Sequence, residues 1–285
     1  MLGRIGKDAG SLLGIEIAPS SLRLLHLARG KPCAWAVEPL PAGAVDNGQI
    51  AQPETVAGAL RRAFSRSGAR QRRAAVALSA SRVINKTVQL PAGLSAVEID
   101  ERLRQEAEQC VPFDLEEAAL DFQLMGSSAV GSGSVDVAFS ACHQGALDGL
   151  EAALELAGLY ARVVDIDSHV LARALGQRVS GPAAMLQVEP GWRVLHTFAP
   201  GHIGSRSEAR AACPVAQLDR WLLAEAQMPE QLWLCGAEAA EGGLAEQLQQ
   251  HLGIATQVFD PFAGNLGPAA PSLAIAYGLS LRGAD

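Results

Sequence analysis

Aromatic residues and positive charge are both scarce in this sequence. Phe, Trp and Tyr make up 5% of its 285 positions, and the formal net charge is −7. Nucleic-acid binding ordinarily uses a basic surface together with aromatic side chains on which bases stack. We therefore do not expect nucleic acid as a partner.

The cysteines are few, and no apolar run is long. No two cysteines have CxxC spacing, so neither a zinc knuckle nor a disulfide framework is predicted. No segment approaches the ~18–20 apolar residues that a membrane-spanning helix needs. Glu16 and Arg23 interrupt the apolar stretch near the start, which argues against a secretory signal. We expect a cytoplasmic protein, with association to a membrane through a partner left open. The cysteines are Cys33, Cys110, Cys142, Cys213 and Cys235.

Common catalytic motifs are absent as well. The sequence contains no GxSxG, HExxH or GxxxxGK[ST], and no two histidines are spaced i, i+4 around a glutamate. His169 lies close to Asp165 and Asp167, but such groups at the end of a strand are more often surface polar residues than metal ligands. We therefore predict no catalytic residue and no metal site.

The stretch 12–28, LLGIEIAPSSLRLLHLA, organises the first part of the chain. It predicts an apolar strand, a polar turn at Pro19-Ser20-Ser21 and a second apolar strand. Such a hairpin either cradles phosphate or simply begins a sheet, and residues 33–40 predict a third strand beside it.

Helices and strands alternate through the rest of the chain. Ser95 and Glu98 form a capping-box pattern ahead of a helix, and Ser168 is suited to cap another. A second hairpin is predicted at 184–188 and 193–198, whereas 199–230 predict one helix and loops. Because each half begins with a hairpin followed by alternating helix and strand, a duplicated α/β architecture is predicted.

Six arginines lie on and just after the helix predicted at 54–65. They form either a solvated basic face or a patch for anionic lipid or an acidic partner. These residues are Arg61, Arg62, Arg66, Arg70, Arg72 and Arg73.

Several segments, in this order and spacing, resemble the type IV pilus assembly protein PilM family. The resemblance covers residues 12–175 and about 254–282. It implies an actin-like (ribonuclease H-like) duplicated fold, similar to FtsA, with an inserted 1C subdomain at about 74–164. Residues 1–175 would form the first half and 176–285 a shortened second half that largely lacks subdomain 2B. The segments are GIEIAPSSLRLLHL, VEPLPAGAVDNGQI, KTVQLPAGLSAVEIDERLRQEAEQCVPFDLEEAALDF, LELAGLYARVVDIDSHVLARAL and FDPFAGNLGPAAPSLAIAYGLSLR.

The resemblance also implies a nucleotide site, whose first phosphate loop departs from the family pattern D-x-G-S-S-S-x-K. Glu16 is one methylene longer than the family aspartate. Ala18 replaces a glycine that lets the backbone approach phosphate, and Pro19 has no N–H to donate. Ser20, Ser21 and Arg23 alone could still bind an anion.

The second phosphate loop, D-I-G in the family, reads Gln187-Val188-Glu189 here. A carboxylate about 4 Å from a phosphate repels it by several kcal/mol at an effective dielectric constant near 20. The G-G turn under the adenosine remains as Gly236-Ala237. The resemblance thus predicts a degenerate ATPase with no required cofactor. ATP and magnesium would bind only if Glu16, Ser20, Ser21, Arg23 and Gly236 still form a site.

In the PilM family a groove between subdomains 1A and 1C captures the short cytoplasmic N-terminal peptide of PilN. We therefore predict an adaptor for type IV pilus assembly and twitching motility at the inner membrane, with homo-oligomerisation left open. The alternative is a nucleotide-binding ATPase that switches pilus or type II secretion (GspL-like) assembly. The predicted groove lining is Val83, Ile84, Val88, Val111, Pro112, Phe113 and Leu115.

Overall fold

The computed structural model describes residues 11–127, 133–209, 214–225 and 227–282. These residues form two five-stranded sheets, a three-stranded sheet and a two-stranded ribbon. In chain order the elements are β1 (Leu13–Ile17), β2 (Ser21–Ala28), β3 (Lys31–Pro39), β4 (Val45–Asp46), β5 (Gln49–Ile50), α1 (Pro53–Ser67), β6 (Arg73–Leu78), β7 (Val83–Pro91), α2 (Ala96–Glu108), β8 (Ala118–Ser127), β9 (Ser134–His143), α3 (Gln144–Leu156), β10 (Tyr160–Ile166), α4 (Asp167–Leu175), β11 (Ala183–Glu189), β12 (Trp192–Ala199), β13 (His202–Ala209), α5 (Pro214–Leu222), β14 (Gln231–Cys235), α6 (Leu244–Leu252), β15 (Ala255–Val258) and α7 (Ala274–Ser280).

The first sheet has the strand order β10-β6-β1-β2-β3 and confirms the predicted opening hairpin. Strands β1 and β2 are antiparallel, and β6 adds to β1 in parallel. Helices α1 and α3 pack together, and their apolar residues share one core with the sheet. The register places Glu16 directly opposite Arg23.

The second sheet has the order β13-β12-β11-β14-β15 and contains the predicted second hairpin, β11–β12. Strand β13 was not predicted, because 199–230 were assigned one helix and loops. Its sequence, HIGSRSEA, is polar because it is an edge strand that hydrogen-bonds only to β12. An edge strand gives little hydrophobic signal.

Strands β7, β9 and β8 form a separate small subdomain, and α2 packs with them in one core. The capping box between Ser95 and Glu98 is present at the start of α2, as predicted. The insertion was predicted at about 74–164. Strands β6 and β10 hydrogen-bond within the first sheet, so the small sheet occupies only residues 83–143.

Helices α4 and α7 pack against each other, and their apolar residues share a core with residues of both large sheets. Helix α7, which lies in the predicted second half, also packs on β1 and β2 of the first half. A Cβ atom on Gly14 would lie 2.1 Å from the carbonyl oxygen of Ala276, so only glycine permits this approach. Ser168 is not a cap, because α4 begins one residue before it at Asp167.

Candidate functional site

Four polar side chains meet where the β1–β2 hairpin of the first sheet faces the β11–β12 hairpin of the second. Arg23 Nη1 and Nη2 donate to the two carboxylate oxygens of Glu189, at 2.8 and 2.5 Å. Arg23 Nη1 also donates to Glu16 Oε1 at 3.0 Å. Gln187 Nε2 lies 3.1 Å from Glu16 Oε1 and 3.4 Å from Glu189 Oε1. We call these four side chains, Glu16, Arg23, Gln187 and Glu189, the clamp.

The clamp is removed from solvent, since Arg23 and Glu189 are each 0% exposed. Burial raises the pKa of Glu16 to about 7, and the negative charge of Glu189 adds to this effect while Arg23 opposes it. For Arg23, burial acts to lower the pKa, but the carboxylates of Glu16 and Glu189 outweigh it and raise the pKa. Arg23 is therefore a permanent buried cation.

A further carboxylate, Asp167 at the start of α4, adds to the charge around Glu16. Burial raises the pKa of Asp167 to about 6, although hydrogen bonds from the amides of Ala80 and Ser168 oppose the rise. Its charge also contributes to the raised pKa of Glu16. Two carboxyl groups thus contact the buried cation of Arg23, and a third, that of Asp167, lies close enough to Glu16 to raise its pKa.

The side chains of the predicted nucleotide residues Glu16 and Arg23 contact other side chains of this chain. The sequence suggested that Arg23 could bind an anion, but its guanidinium already contacts two carboxylates. The N–H of Ala18 donates to the carbonyl of Ser21, and Ser20 and Ser21 are half-buried in the turn. The side chains that meet between the two hairpins are the four of the clamp.

The backbone conformation and the close contacts at position 236 suit glycine. Its φ is +102°, and a Cβ atom would lie 2.4 Å from the carbonyl oxygen of Val188 and 2.9 Å from Glu189 Oε1. Its N–H donates to the carbonyl of Pro271 at 3.0 Å. Gly236 therefore allows β14 to turn close behind the clamp.

The residues predicted to line a partner groove are divided among several environments. Val88 is buried in the core of the small subdomain, so it cannot line a surface groove. Ile84, Val111 and Leu115 are half-buried against that core, and Val83 packs on the core of the first half. Alternation along β7 signals this, because Val88 and Leu90 share the face that α2 covers.

Pro112 and Phe113 lie where the small subdomain meets the first half. Pro112 is exposed, and the ring of Phe113 packs edge-on against His143, with the centroids 5.3 Å apart. His143 in turn accepts from the N–H of Gly145 at the start of α3 and lies 3.2 Å from Glu117. We call the surface formed by Val83, Ile84, Pro112 and Phe113 the junction surface.

The small sheet has two edge strands, β7 and β8, since only β9 is paired on both sides. Leu124 and Met125 near the end of β8 are 55% and 62% exposed. Neither residue was predicted as part of a site, although two adjacent large apolar residues late in a strand are a signal that could have identified them.

Most of the arginines of the predicted basic patch contact neighbouring groups. Arg62 and Arg66 pair with Glu38, and the hydrogen bond from Arg62 is the main cause of the lowered pKa of that carboxyl. Arg61 donates to the backbone carbonyl of Leu156 at the end of α3, and Arg72 donates to that of Gly158 just after it. These contacts favour a structural role over a free basic patch.

Asp165 and Asp167 were interpreted as surface groups, and this was wrong. Both are buried, and Asp165 pairs with Arg173 and Arg282. Burial favours the neutral form of Asp165, but the two arginines and the amide of Ile166 outweigh it and lower the pKa. Among the described residues, no group of three or more His, Cys, Asp or Glu side chains is placed to hold a metal ion. Cys213 lies outside the described residues.

Two facing sheets with matched hairpins define the class of this protein, which has the actin-like ATPase fold. The structure is similar to the ethanolamine utilization protein EutJ from Carboxydothermus hydrogenoformans. That similarity has a TM-score of 0.55 and 14% identity, and it covers 95% of this chain and 89% of the other.

The similarity is greater to a solved PilM-PilN type IV pilus biogenesis complex. Its TM-score is 0.83 with 24% identity, and it covers 98% of this chain and 100% of the matched chain. A sequence model of the type IV pilus assembly protein PilM matches residues 14–182. The chain belongs to the PilM family. Within the ranges that the structure describes, no helix combines the length and apolar character that a membrane span requires.

Proposed function

We propose that this protein is an adaptor of type IV pilus assembly that binds the N-terminal cytoplasmic peptide of a PilN-like inner-membrane protein. Membership of the PilM family supports the pilus role. The partner is suggested by the similarity, over 98% of the chain, to a structure described as a PilM-PilN complex.

The observation that carries the proposed binding site is the combination of an open strand edge with apolar side chains at the junction surface. An extended peptide binds well where main-chain groups can pair with an edge strand and side chains can enter neighbouring pockets. Strand β7 is an edge strand that leads from the first half into the small subdomain. Pro112 and Phe113 supply apolar surface where that subdomain begins to face the first half.

Isothermal titration calorimetry with a synthetic PilN-like N-terminal peptide tests the proposal. We expect micromolar or tighter binding, and about tenfold weaker binding for Phe113→Ala, because truncating a central aromatic anchor typically costs more than 1 kcal/mol. Val97→Ala is the matched control, since Val97 is an exposed apolar residue at the start of α2 outside the junction surface.

Absence of heat with folded parent protein would contradict the partner. Equal weakening by Phe113→Ala and Val97→Ala would contradict the location. We further propose that the adaptor acts without ATP hydrolysis, because Arg23, the residue best suited to bind an anion, is already paired with Glu16 and Glu189.

A further inference from the structure

We propose that the clamp takes the place of nucleotide phosphates between the two hairpins and holds the two halves of the chain together without a ligand. This inference concerns the cleft between the halves. It does not depend on the identity of the peptide partner.

The clamp connects the two sheets directly. Arg23 and Glu189 are 166 positions apart in sequence, and they lie on hairpins of different sheets. Both terminal nitrogens of the guanidinium are used on the Glu189 carboxylate, which is the planar two-bond arrangement that arginine also makes with phosphate. The carboxylate of Glu189 therefore occupies the position in which a phosphate group would meet Arg23.

The positive charge of Arg23 is already balanced by carboxylates of the chain. Arg23 is already shared by Glu16 and Glu189, and Asp167 contributes a third carboxyl group nearby. Gln187 directs its amide N–H groups toward the two glutamates. A polyphosphate would have to displace Glu189 and add negative charge to this buried region, where interactions between charges are weakly screened.

A buried ion pair such as that of Arg23 and Glu189 favours the one arrangement in which both partners meet. Removing one partner of a buried pair is strongly destabilising, whereas replacing the whole set by apolar residues is often neutral. The clamp is therefore suited to select one relative position of the two sheets. The pair of Arg23 with Glu16 lies within one hairpin, whereas the two hydrogen bonds of Arg23 with Glu189 persist only while the halves remain together.

The experiment measures the distance between spin labels on the two halves. Labels at Ser65→Cys on α1 and Gln250→Cys on α6 use exposed positions, and the exposed Cys33 is replaced by serine. We expect one narrow distance distribution in the parent that does not change with millimolar ATP and magnesium. In Arg23→Met we expect a broader distribution and a melting temperature lower by about 10 °C.

Two further variants complete the design. Arg104→Met is the matched control, because Arg104 forms an exposed ion pair with Asp100 within α2, so its loss should change neither readout. Glu189→Gln is the milder variant if Arg23→Met does not fold. It keeps one oxygen for Arg23, and we expect a smaller broadening in the same direction.

Two outcomes would overturn the inference. The first is a saturable change in distance or melting temperature when ATP and magnesium are added to the parent, which would show that the cleft accepts nucleotide. The second is an unchanged distance distribution in folded Arg23→Met or Glu189→Gln, which would show that the clamp does not hold the halves. Neither outcome depends on peptide binding, so failure of the proposed function would be recognised separately.

Discussion

Replacing Glu16 by glutamine should change how the stability of this protein depends on pH. The pKa of Glu16 is raised from an ordinary value of 4.5 to about 7, because burial and the charge of Glu189 outweigh the attraction of Arg23. Between these two values the folded protein keeps a proton that the unfolded chain releases. The free energy of unfolding therefore falls as pH rises through this window.

The size of the effect follows from the two pKa values. At about 1.4 kcal/mol per pH unit, the Glu16 contribution declines by about 2–3 kcal/mol between pH 5 and pH 8. Glu16→Gln removes this titration and retains an oxygen that can accept from Arg23. Urea unfolding at several pH values should therefore show the variant gaining about that amount on the parent as pH rises.

Glu38→Gln provides the control. Glu38 also pairs with arginines, but its pKa is lowered, so its contribution changes only below the ordinary value of 4.5. The stability difference between Glu38→Gln and the parent should be constant from pH 6 to pH 8. If the Glu16→Gln and parent curves also run parallel from pH 5 to pH 8, Glu16 is ionised throughout and our reasoning about the clamp's charge is wrong.

Two other substitutions test the second sheet. His196 is fully buried, neither of its ring nitrogens has a hydrogen-bond partner among the described residues, and burial lowers its pKa to about 3. Since the unfolded chain takes up a proton below pH 6.5, the parent should lose about 2 kcal/mol relative to His196→Leu between pH 7 and pH 5, measured by urea unfolding. Gly236→Ala should destabilise by about 2–4 kcal/mol, because its Cβ would meet the carbonyl of Val188 at a φ of +102°. Gly253→Ala, at φ +67° in open space, should cost about 1 kcal/mol in the same assay, and an equal cost would show that the close approach is unimportant.

The sequence predicted most of the strands and helices because their apolar residues repeat with clear periods. The opening hairpin is an example. The capping box at Ser95 was predicted from the three-residue spacing between Ser95 and Glu98. Strand β13 was missed because an edge strand is polar. Helix α7 was predicted, but its packing on β1 was not, since periodicity identifies an apolar face and does not identify the sheet that covers it.

The clamp was beyond prediction for a different reason. In the sequence, Arg23 was a residue that could attract phosphate and Glu189 one that would repel it. Each residue was considered separately in relation to a phosphate group, because the two residues are 166 positions apart in the sequence. Only the fold brings the two hairpins together, and there the two departures from the family pattern compensate each other. The same limit applies to Val88, whose burial depends on how α2 covers the small sheet.

The packing of α7 on β1 has a consequence for how the protein is made. Residues 13–17 leave the ribosome well before the helix that covers them, which ends at residue 280. During synthesis part of the apolar face of the first sheet therefore stays exposed until residues 274–280 have also emerged. The interval is a natural window for a chaperone, and the first half should complete its folding only after translation of residue 280.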